Sequence, residues 1–503
     1  MNTKSCDILV IGGGGSGLTA GCRAASLGKK VIVLEKADYL GGGMNHASTM
    51  RTFGSKWQAE RGLPDTTAQY MRNRMDETFW RVDLKFASAI IRGTGAFFDW
   101  FCEEAPKETV DLFEVGRYVF DEDDGPLGPQ RSNRKYGKGG GRVFVEFFSE
   151  KLSALGSEIL MGAVTDSLIV KDGKVCGAVV HCGGEELEIT CSAVILACGA
   201  WIRNSDFVEK HYPMLADAQK YMDTLEEPHQ NRNYTGDGLA LAAAAGAKMD
   251  ETNLTVRMMG PGIRTVGTVP ANISRSAYCI YVNTDGKRYI SEPSIPRIGV
   301  FDSGIIQMYQ PTGRTYVIFD MNTLSHAVAD GENQPQPQIA MPFTAAVLPS
   351  TLGEALADLD NAIAKNSDVV FKADSLEELA DMIGINKENF LRTVADYNGY
   401  CASGMDWDCY KPSEWLVPID QGPFFAVKTS LNTDGAFGGV IVDERMRVIS
   451  DNGGTVAGLY AAGDIASGRF INMADVKKQI LNDMSFALSS GFIAGTDAAS
   501  AVG

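Results

Sequence analysis

The chain has 503 residues, a formal net charge of −17, and 45% hydrophobic against 22% charged residues, the composition of an ordinary globular protein. The acidic excess argues against nucleic acid and anionic membrane surfaces as partners. No apolar run reaches the roughly 18 to 20 residues that span a bilayer. The ten cysteines include no CxxC or CxxCH, so no zinc cage, iron–sulfur ligand run or c-type haem site is expected, and no metal.

In chain order, Asp7 to Ile11 reads as a short apolar strand, leaving no room before it for a signal peptide. A cytoplasmic protein with reduced thiols is therefore expected. Strand-like, Gly-rich and helix-like runs then alternate as in parallel βαβ units. From Gly141 to Val180 the pattern predicts a helix, a strand, a "KDGK" turn and a further strand. "ITCSAVILACGAW" predicts a buried strand ending in glycine. From about Gly236 to Lys365 the chain becomes richer in Pro and Met, with short strands such as "CIYVNTDGKRYIS". "SLEELADMIGINKENFLRTVADYNGYCASG" is helical, and the last hundred or so residues return to strands and a Gly-rich strand–helix junction. The order predicts a nucleotide domain in two parts, 1–235 and 366–503, split by an inserted domain over 236–365.

Within "DILVIGGGGSGLTAGCRAASLGKKVIVLEK", Gly12, Gly14 and Gly17 have G-x-G-x-x-G spacing between a strand and an apolar-periodic helix. Gly12 permits the tight turn and Gly17 allows the helix to pack on the strand. Gly14, Gly15 and Ser16 offer backbone to a pyrophosphate at the helix N-terminus, where free N–H groups and the dipole favour an anion. The next strand, Lys30 to Leu34, ends at Glu35, 18 residues after Gly17, where a carboxylate accepts hydrogen bonds from ribose hydroxyls. A dinucleotide site follows; its spacing fits NAD and FAD equally.

The rest of the chain separates the two. "EKADYLGGGMNHAS", "AVILACGA" at 193–200, "NYTGDGLALAAAAGAKM", "VNTDGKRYISE", "FGGVIVDERMRVI" and "GTVAGLYAAGDIASG" at 454–468 resemble the FAD-dependent fumarate reductase/succinate dehydrogenase flavoprotein family. The resemblance runs through nearly the whole chain. It implies an α/β fold, a Rossmann-like FAD-binding domain with an inserted α+β capping domain, and chemistry at the flavin. It implies non-covalently bound FAD near Lys36, Gly42, Gly43, Ser48, Ala197, Gly199, Asp237, Gly463, Asp464, Asn482 and Asp483. His46, one of five histidines, falls beside that set and is read as a packed polar residue rather than an attachment point.

The same resemblance implies hydride transfer from reduced flavin to one carbon of a C=C bond and a proton from an arginine to the other. "GKRYISEPSIPR" ends in Arg297, one residue later than the family pattern, and Arg297 is the candidate proton donor or substrate clamp. The family's E-x-x-R-G relay stands here as Asn272-Ile-Ser-Arg275-Ser, and asparagine cannot pass a proton as a carboxylate does. The family's carboxylate-gripping H-T-M-G-G reads Gly435-Ala436-Phe437-Gly438-Gly439, its H-P-T falls near Arg257-Met258-Met259, and a clamping arginine is Lys478. Loss of both histidines, with Phe437 and methionines in their place, predicts a bulky aromatic or polycyclic unsaturated substrate rather than a small dicarboxylate. Reductases of aryl acrylates, enone steroids and flavonoids show such departures. A flavin-dependent dehydrogenase of the ketosteroid type, with Tyr278, Tyr281 or Tyr289 assisting a base, a fumarate reductase with altered clamps, and an electron-transfer flavoprotein remain alternatives. With a single dinucleotide fingerprint, the electron donor is NAD(P)H bound transiently, a free reduced flavin, or a donor protein.

Overall fold

The computed structural model describes residues 2–47, 50–115, 129–130, 140–211, 213, 233–250, 255–262, 268–273, 276–331, 348–365, 367–468 and 481–503, with backbone alone at 129–130, 255–262, 271, 296–302 and 430–435. The chain forms two compact units: 1–205, 228–256 and 435–503 make the first, 206–227 and 257–434 the second.

The first unit is built on a sheet with ten strands among the described residues. Its centre is parallel, in the order Glu158–Met161, Val31–Glu35, Ile8–Ile11, Ala193–Leu196, Thr455–Ala461. Ile8–Ile11 and Ala193–Leu196 are buried at every position, which is why these strands read as continuous apolar runs rather than alternating ones. Three strands, Val164–Lys171, Lys174–Cys182 and Glu185–Thr190, form an antiparallel meander. Its first turn carries Asp172 and Gly173 at φ 50° and 74°, the left-handed pair that a two-residue hairpin prefers. Asn2–Ser5 closes that edge, parallel to Glu185–Thr190.

Helix Gly15–Ser26 follows the first central strand, and the last helix, Asp483–Ala501, packs against it with very small separation. A Cβ on Gly491 would lie 2.3 Å from the Ser16 carbonyl oxygen, and one on Gly495 would lie 2.4 Å from that of Ala20. Helices Leu84–Glu104 and Gly140–Ala154 contribute an aromatic core, with Phe101 and Phe144 ring centroids 4.8 Å apart and Trp100 stacked on Phe148 at 5.8 Å.

The second unit is organised by Ile280–Asn283, Thr315–Asp320 and Phe424–Phe437, antiparallel neighbours, with Val370–Ala373 also on Phe424–Phe437. Alternate residues face opposite cores. Tyr281, Val317, Phe319, Phe425 and Val427 pack with Leu324 and Leu359 of the helices Met321–Asp330 and Leu352–Lys365. Ile280, Val282, Tyr316, Ile318 and Ala426 pack with Leu379, Phe390 and Tyr397 of the helices Leu376–Ile383 and Lys387–Ser403. Gly384 in the left-handed region ends one of those helices and Asn386 caps the next, accepting from the Asn389 N–H at 3.0 Å.

The division therefore differs from an insertion over 236–365. Helical periodicity identified Leu376–Ile383 and Lys387–Ser403 but not the sheet they cover, and they cover the second unit's. Asp237–Ala244, expected to open the insertion, belongs to the first unit.

Candidate functional site in the nucleotide unit

The glycine turn joins Ile8–Ile11 to helix Gly15–Ser26. Gly12 has φ +112°, and a Cβ there would lie 2.3 Å from the Ala197 carbonyl oxygen. A Cβ on Gly17 would lie 1.9 Å from the Gly12 carbonyl oxygen, so the turn closes only without side chains at both. At Gly14 the space is open: among the described residues, its chain neighbours aside, no atom lies within 4 Å of where a Cβ would stand. Gly14 is the N-cap of the helix, and the N–H groups of the first turn that follow it have no intrahelical acceptor. Open space at a helix N-terminus of positive partial charge is a cradle for a phosphate group.

The strand Val31–Glu35 brings Glu35 to the turn. Its carboxylate accepts from the Gly13 N–H at 2.8 Å and from the Ala37 N–H at 2.8 Å. Each oxygen keeps further acceptor capacity for ribose hydroxyls. The segment around Gly42 and Gly43 is placed beside the turn: the Gly41 N–H donates to the Gly13 carbonyl oxygen at 2.8 Å, and Met44 fills the space a Cβ on Gly15 would need, its Cε 2.1 Å away. Ala197 closes over the turn by donating to the Ile11 carbonyl oxygen at 2.8 Å. Gly199 and Gly43 both border Tyr234, whose hydroxyl lies 2.5 Å from where a Gly43 Cβ would stand.

Lys36 and Asp237 pair with each other at 2.8 Å, and Thr235 donates to the second Asp237 oxygen at 2.6 Å. Burial alone would raise the Asp237 carboxyl, but the Lys36 ammonium and the Thr235 hydroxyl hold it below its ordinary value.

From the other end of the chain, Thr455–Ala461 delivers Gly463 and Asp464 into a short 3₁₀ turn. A Cβ on Gly463 would lie 2.4 Å from the Ser16 Oγ, and the Gly463 N–H donates to Ser490 Oγ at 3.0 Å. Asn482 is the N-cap and Asp483 the first residue of the final helix. Gly438 donates to the Asp464 carbonyl oxygen at 2.8 Å, Gly439 to Ser467 Oγ at 2.9 Å, and Trp201 Nε1 to the Gly438 carbonyl oxygen at 3.2 Å. The Gly438-Gly439 stretch is thus fixed beside Asp464, and Phe437 before it is buried.

The other expected site residues fall elsewhere. Arg297 is near the start of helix Ser294–Met308 of the second unit, with its side chain outside the described residues; Met258 is on the strand Thr255–Gly262 and Gly435 on Phe424–Phe437, both at positions where only the backbone is described. Ser48, Arg275 and Lys478 lie outside the described residues. The three tyrosines offered for a base are core residues: Tyr278 donates to Asp330 at 2.7 Å, Tyr289 to Thr315 Oγ1 at 3.1 Å, and Tyr281 is fully buried. Burial, and for Tyr278 the Asp330 carboxylate, push the Tyr278 and Tyr289 hydroxyls above their ordinary range, which disfavours ionisation.

Met44, Tyr234 and Ser490 were not foreseen; only the nearness of Tyr234 to "TGDG" could have pointed to it. In the second unit the unforeseen feature is a buried ionic cluster. Arg288 makes a two-toothed pair with Glu292, at 3.1 and 2.9 Å, and reaches Asp406 at 2.9 Å. Lys411 lies 3.6 Å from Glu292 and donates to the Cys279 carbonyl oxygen and the Tyr397 hydroxyl at 2.9 and 3.1 Å. Its signal was present, an Arg and a Glu four residues apart in "GKRYISE".

A parallel sheet whose first glycine turn, the Glu35 carboxylate at the end of the next strand and the C-terminal strand junction converge defines a dinucleotide-type fold. The model of the FAD binding domain family matches residues 7–474. The chain belongs to that family and is an FAD-dependent oxidoreductase of the fumarate reductase/succinate dehydrogenase flavoprotein group. It is 24% identical over 481 residues to a vinyl phenol reductase of Lactiplantibacillus plantarum, covering 92% of this chain and 90% of that one. It is 25% identical over 562 residues to a 3-oxosteroid 1-dehydrogenase of Mycolicibacterium smegmatis, covering 93% of each. In fold it is similar to the open conformation of a flavocytochrome c3 fumarate reductase, with a TM-score of 0.69 at 22% identity over 99% of this chain and 79% of that one.

Proposed function

We propose that the protein reduces the C=C bond of a bulky aromatic or polycyclic substrate, in the cytoplasm, using non-covalently bound FAD. The observation that carries this reading is the stretch Gly435-Ala436-Phe437, which offers a buried phenyl ring and no imidazole where the resembling family grips a carboxylate. A relative named for a vinyl phenol, an aromatic ring bearing a C=C bond, supports it.

When bound, FAD supplies the hydride that goes to one carbon of the double bond. The backbone of Gly14 to Gly17 holds the pyrophosphate, Glu35 the ribose, and Asp464 with the N-terminus of helix Asp483–Ala501 the rest of the cofactor. Met258, Phe437 and Gly435 shape the substrate wall, and Lys478 attracts its polar end. Arg297 delivers the proton to the second carbon, with Arg275 behind it. The donor of electrons is NAD(P)H, a free reduced flavin or a donor protein. The steroid dehydrogenase relative supports a second reading, net dehydrogenation of a ketosteroid.

The test is anaerobic. The protein is reduced with dithionite and its reoxidation followed near ~450 nm, where oxidised flavin absorbs, against fumarate, an aryl acrylate, a vinyl phenol, an enone steroid and isoflavonoids. Fast reoxidation by a bulky acceptor with fumarate inert is expected; fast reoxidation by fumarate overturns the substrate reading. Reduction of the oxidised protein by a saturated ketosteroid supports the second reading. In Arg297→Ala the flavin should remain bound and reducible while turnover falls by about 10² or more.

A further inference from the structure

Asn2–Ser5 runs parallel to Glu185–Thr190 with Ser5 beside Thr190. One residue further, the Cys6 N–H donates to the Thr190 carbonyl oxygen at 3.0 Å, which sets Cys6 beside Cys191. Neighbours across such a pair project to the same face of the sheet. The Cys6 and Cys191 side chains therefore leave the sheet on the same side, which brings the two thiols near enough to influence each other's ionisation. The backbone around both is pinned, with the Cys191 N–H on the Cys176 carbonyl oxygen at 2.8 Å and the Ser192 N–H on that of Asp7 at 2.9 Å. Strands about 4.7–4.9 Å apart bring two Cα atoms into the 4.4–6.8 Å range that a disulfide spans.

The surroundings make the pair unequal. The neighbouring Cys191 thiol holds the Cys6 thiol below its ordinary value, while the Cys6 thiol and burial push Cys191 up. Cys6 is therefore the better nucleophile. Cys6 is buried and Cys191 half-buried, but the strand leading into Cys6 is the exposed edge of its sheet. A small oxidant reaches the pair by fraying that edge.

We propose that Cys6 and Cys191 are a reversible disulfide site whose oxidant is hydrogen peroxide, which reduced flavins generate in air. The Cys6 sulfur attacks peroxide, the O–O bond breaks, and Cys6 becomes a sulfenic acid as one water leaves. The Cys191 sulfur then attacks the Cys6 sulfur, the S–O bond breaks, and a second water leaves carrying the Cys191 proton. Two thiols lose two electrons, peroxide gains them, and two waters form. The bond would tie together the entrances of Ile8–Ile11 and Ala193–Leu196, the strands that carry Gly12 and Ala197.

The full-length FAD-bound protein is treated with hydrogen peroxide, its remaining thiols are alkylated, and its peptides are mapped without reductant. Loss of two alkylatable thiols and a linked peptide pair joining Cys6 to Cys191, both reversed by dithiothreitol, are expected. The link should vanish in Cys6→Ser and in Cys191→Ser and persist in Cys176→Ser. Full alkylation of both cysteines, separate sulfinic acids without a link, or a link from Cys6 to Cys176 would each overturn the proposal.

Discussion

Replacing Arg288 with methionine, close in volume and uncharged, tests the buried ionic cluster of the second unit. Two cations, Arg288 and Lys411, face two carboxylates, Glu292 and Asp406, and both Arg288 and its acidic partners are essentially without solvent contact. The substitution leaves Glu292 with Lys411 and strips Asp406 of the guanidinium it pairs with. Asp406 then holds backbone N–H groups, those of Asp408, Cys409 and Lys411 at 3.1, 3.2 and 3.1 Å. Breaking a buried pair from one side costs about 3–5 kcal/mol. With a urea slope of about 3 kcal/mol per M, the unfolding midpoint falls by about 1–1.7 M at pH 7. The pH dependence gives the sign. In the native protein burial raises the Asp406 carboxyl, but Arg288 and the backbone donors outweigh it and hold it below its ordinary value. Its contribution is thus present above the unfolded-state pKa and lost as pH falls through the lower folded one. Without Arg288 burial dominates, the folded pKa rises, and the deficit is largest at high pH and shrinks as Asp406 takes up a proton. The variant should therefore close part of its gap to the native protein between pH 7 and 5, followed by urea titration at each pH. A gap that is under about 0.3 M, or that does not narrow on acidification, refutes the cluster as an ionic anchor.

Gly14→Ala and Gly17→Ala should separate cofactor binding from folding. The first meets no atom of the described residues beyond its chain neighbours and should keep the melting temperature of the apoprotein while FAD affinity, read by flavin release, drops about tenfold or more; the second drives a Cβ into the Gly12 carbonyl and should lose about 1–3 kcal/mol as well. In Glu35→Gln an amide NH₂ must face one of two backbone donors, and FAD affinity measured by titration of the apoprotein should fall by roughly tenfold or more, with an unchanged value refuting the ribose role. Asp237→Ala removes a pair in which both side chains keep solvent contact, so stability should change by less than about 1 kcal/mol; a much larger loss confined to the FAD-bound form would reveal direct contact with the cofactor. Gly495→Ala should destabilise by about 1–3 kcal/mol in thermal melts, because its Cβ meets backbone rather than a movable side chain.

The parts of the fold written in the sequence are those where local chemistry has one solution. Gly12 must be glycine for its φ, Asp172-Gly173 must turn a hairpin, and fully buried parallel strands must be apolar throughout. The domain boundary was not legible in this way, since an amphipathic helix such as Lys387–Ser403 shows that it has a buried face without showing what buries it. Aromatic residues of Leu84–Glu104 were equally silent about their partners more than forty residues on, which depend on tertiary packing alone. Within the site, residues bound by backbone geometry were recognisable and those that merely fill space were not. Met44 occupies the volume two glycines vacate, Gly15 and Gly141, and nothing about a methionine announces that duty. The ionic cluster was overlooked for a related reason: Arg288 and Glu292 look like an ordinary surface pair until Asp406 and Lys411 arrive from more than a hundred residues away.

The closeness of the last helix to the first has a consequence for how the protein is made. Ribosomes emit the glycine turn before the second unit, yet its neighbours Thr455–Ala461, Gly463 and Ser490 emerge only after the whole of that unit. At about 5–20 residues per second, the early half of the nucleotide unit waits tens of seconds with the flank of Ile195 and the Ser16 face of its helix uncovered. The intervening unit, with its own two cores, can complete in that interval. The strand Thr455–Ala461 that flanks Ala193–Leu196 is delivered after the rest of the central sheet, so the cofactor meets a finished cradle only once that segment and the helix Asp483–Ala501 have emerged, and a nascent chain stalled before residue 455 should be a client for chaperones rather than for FAD.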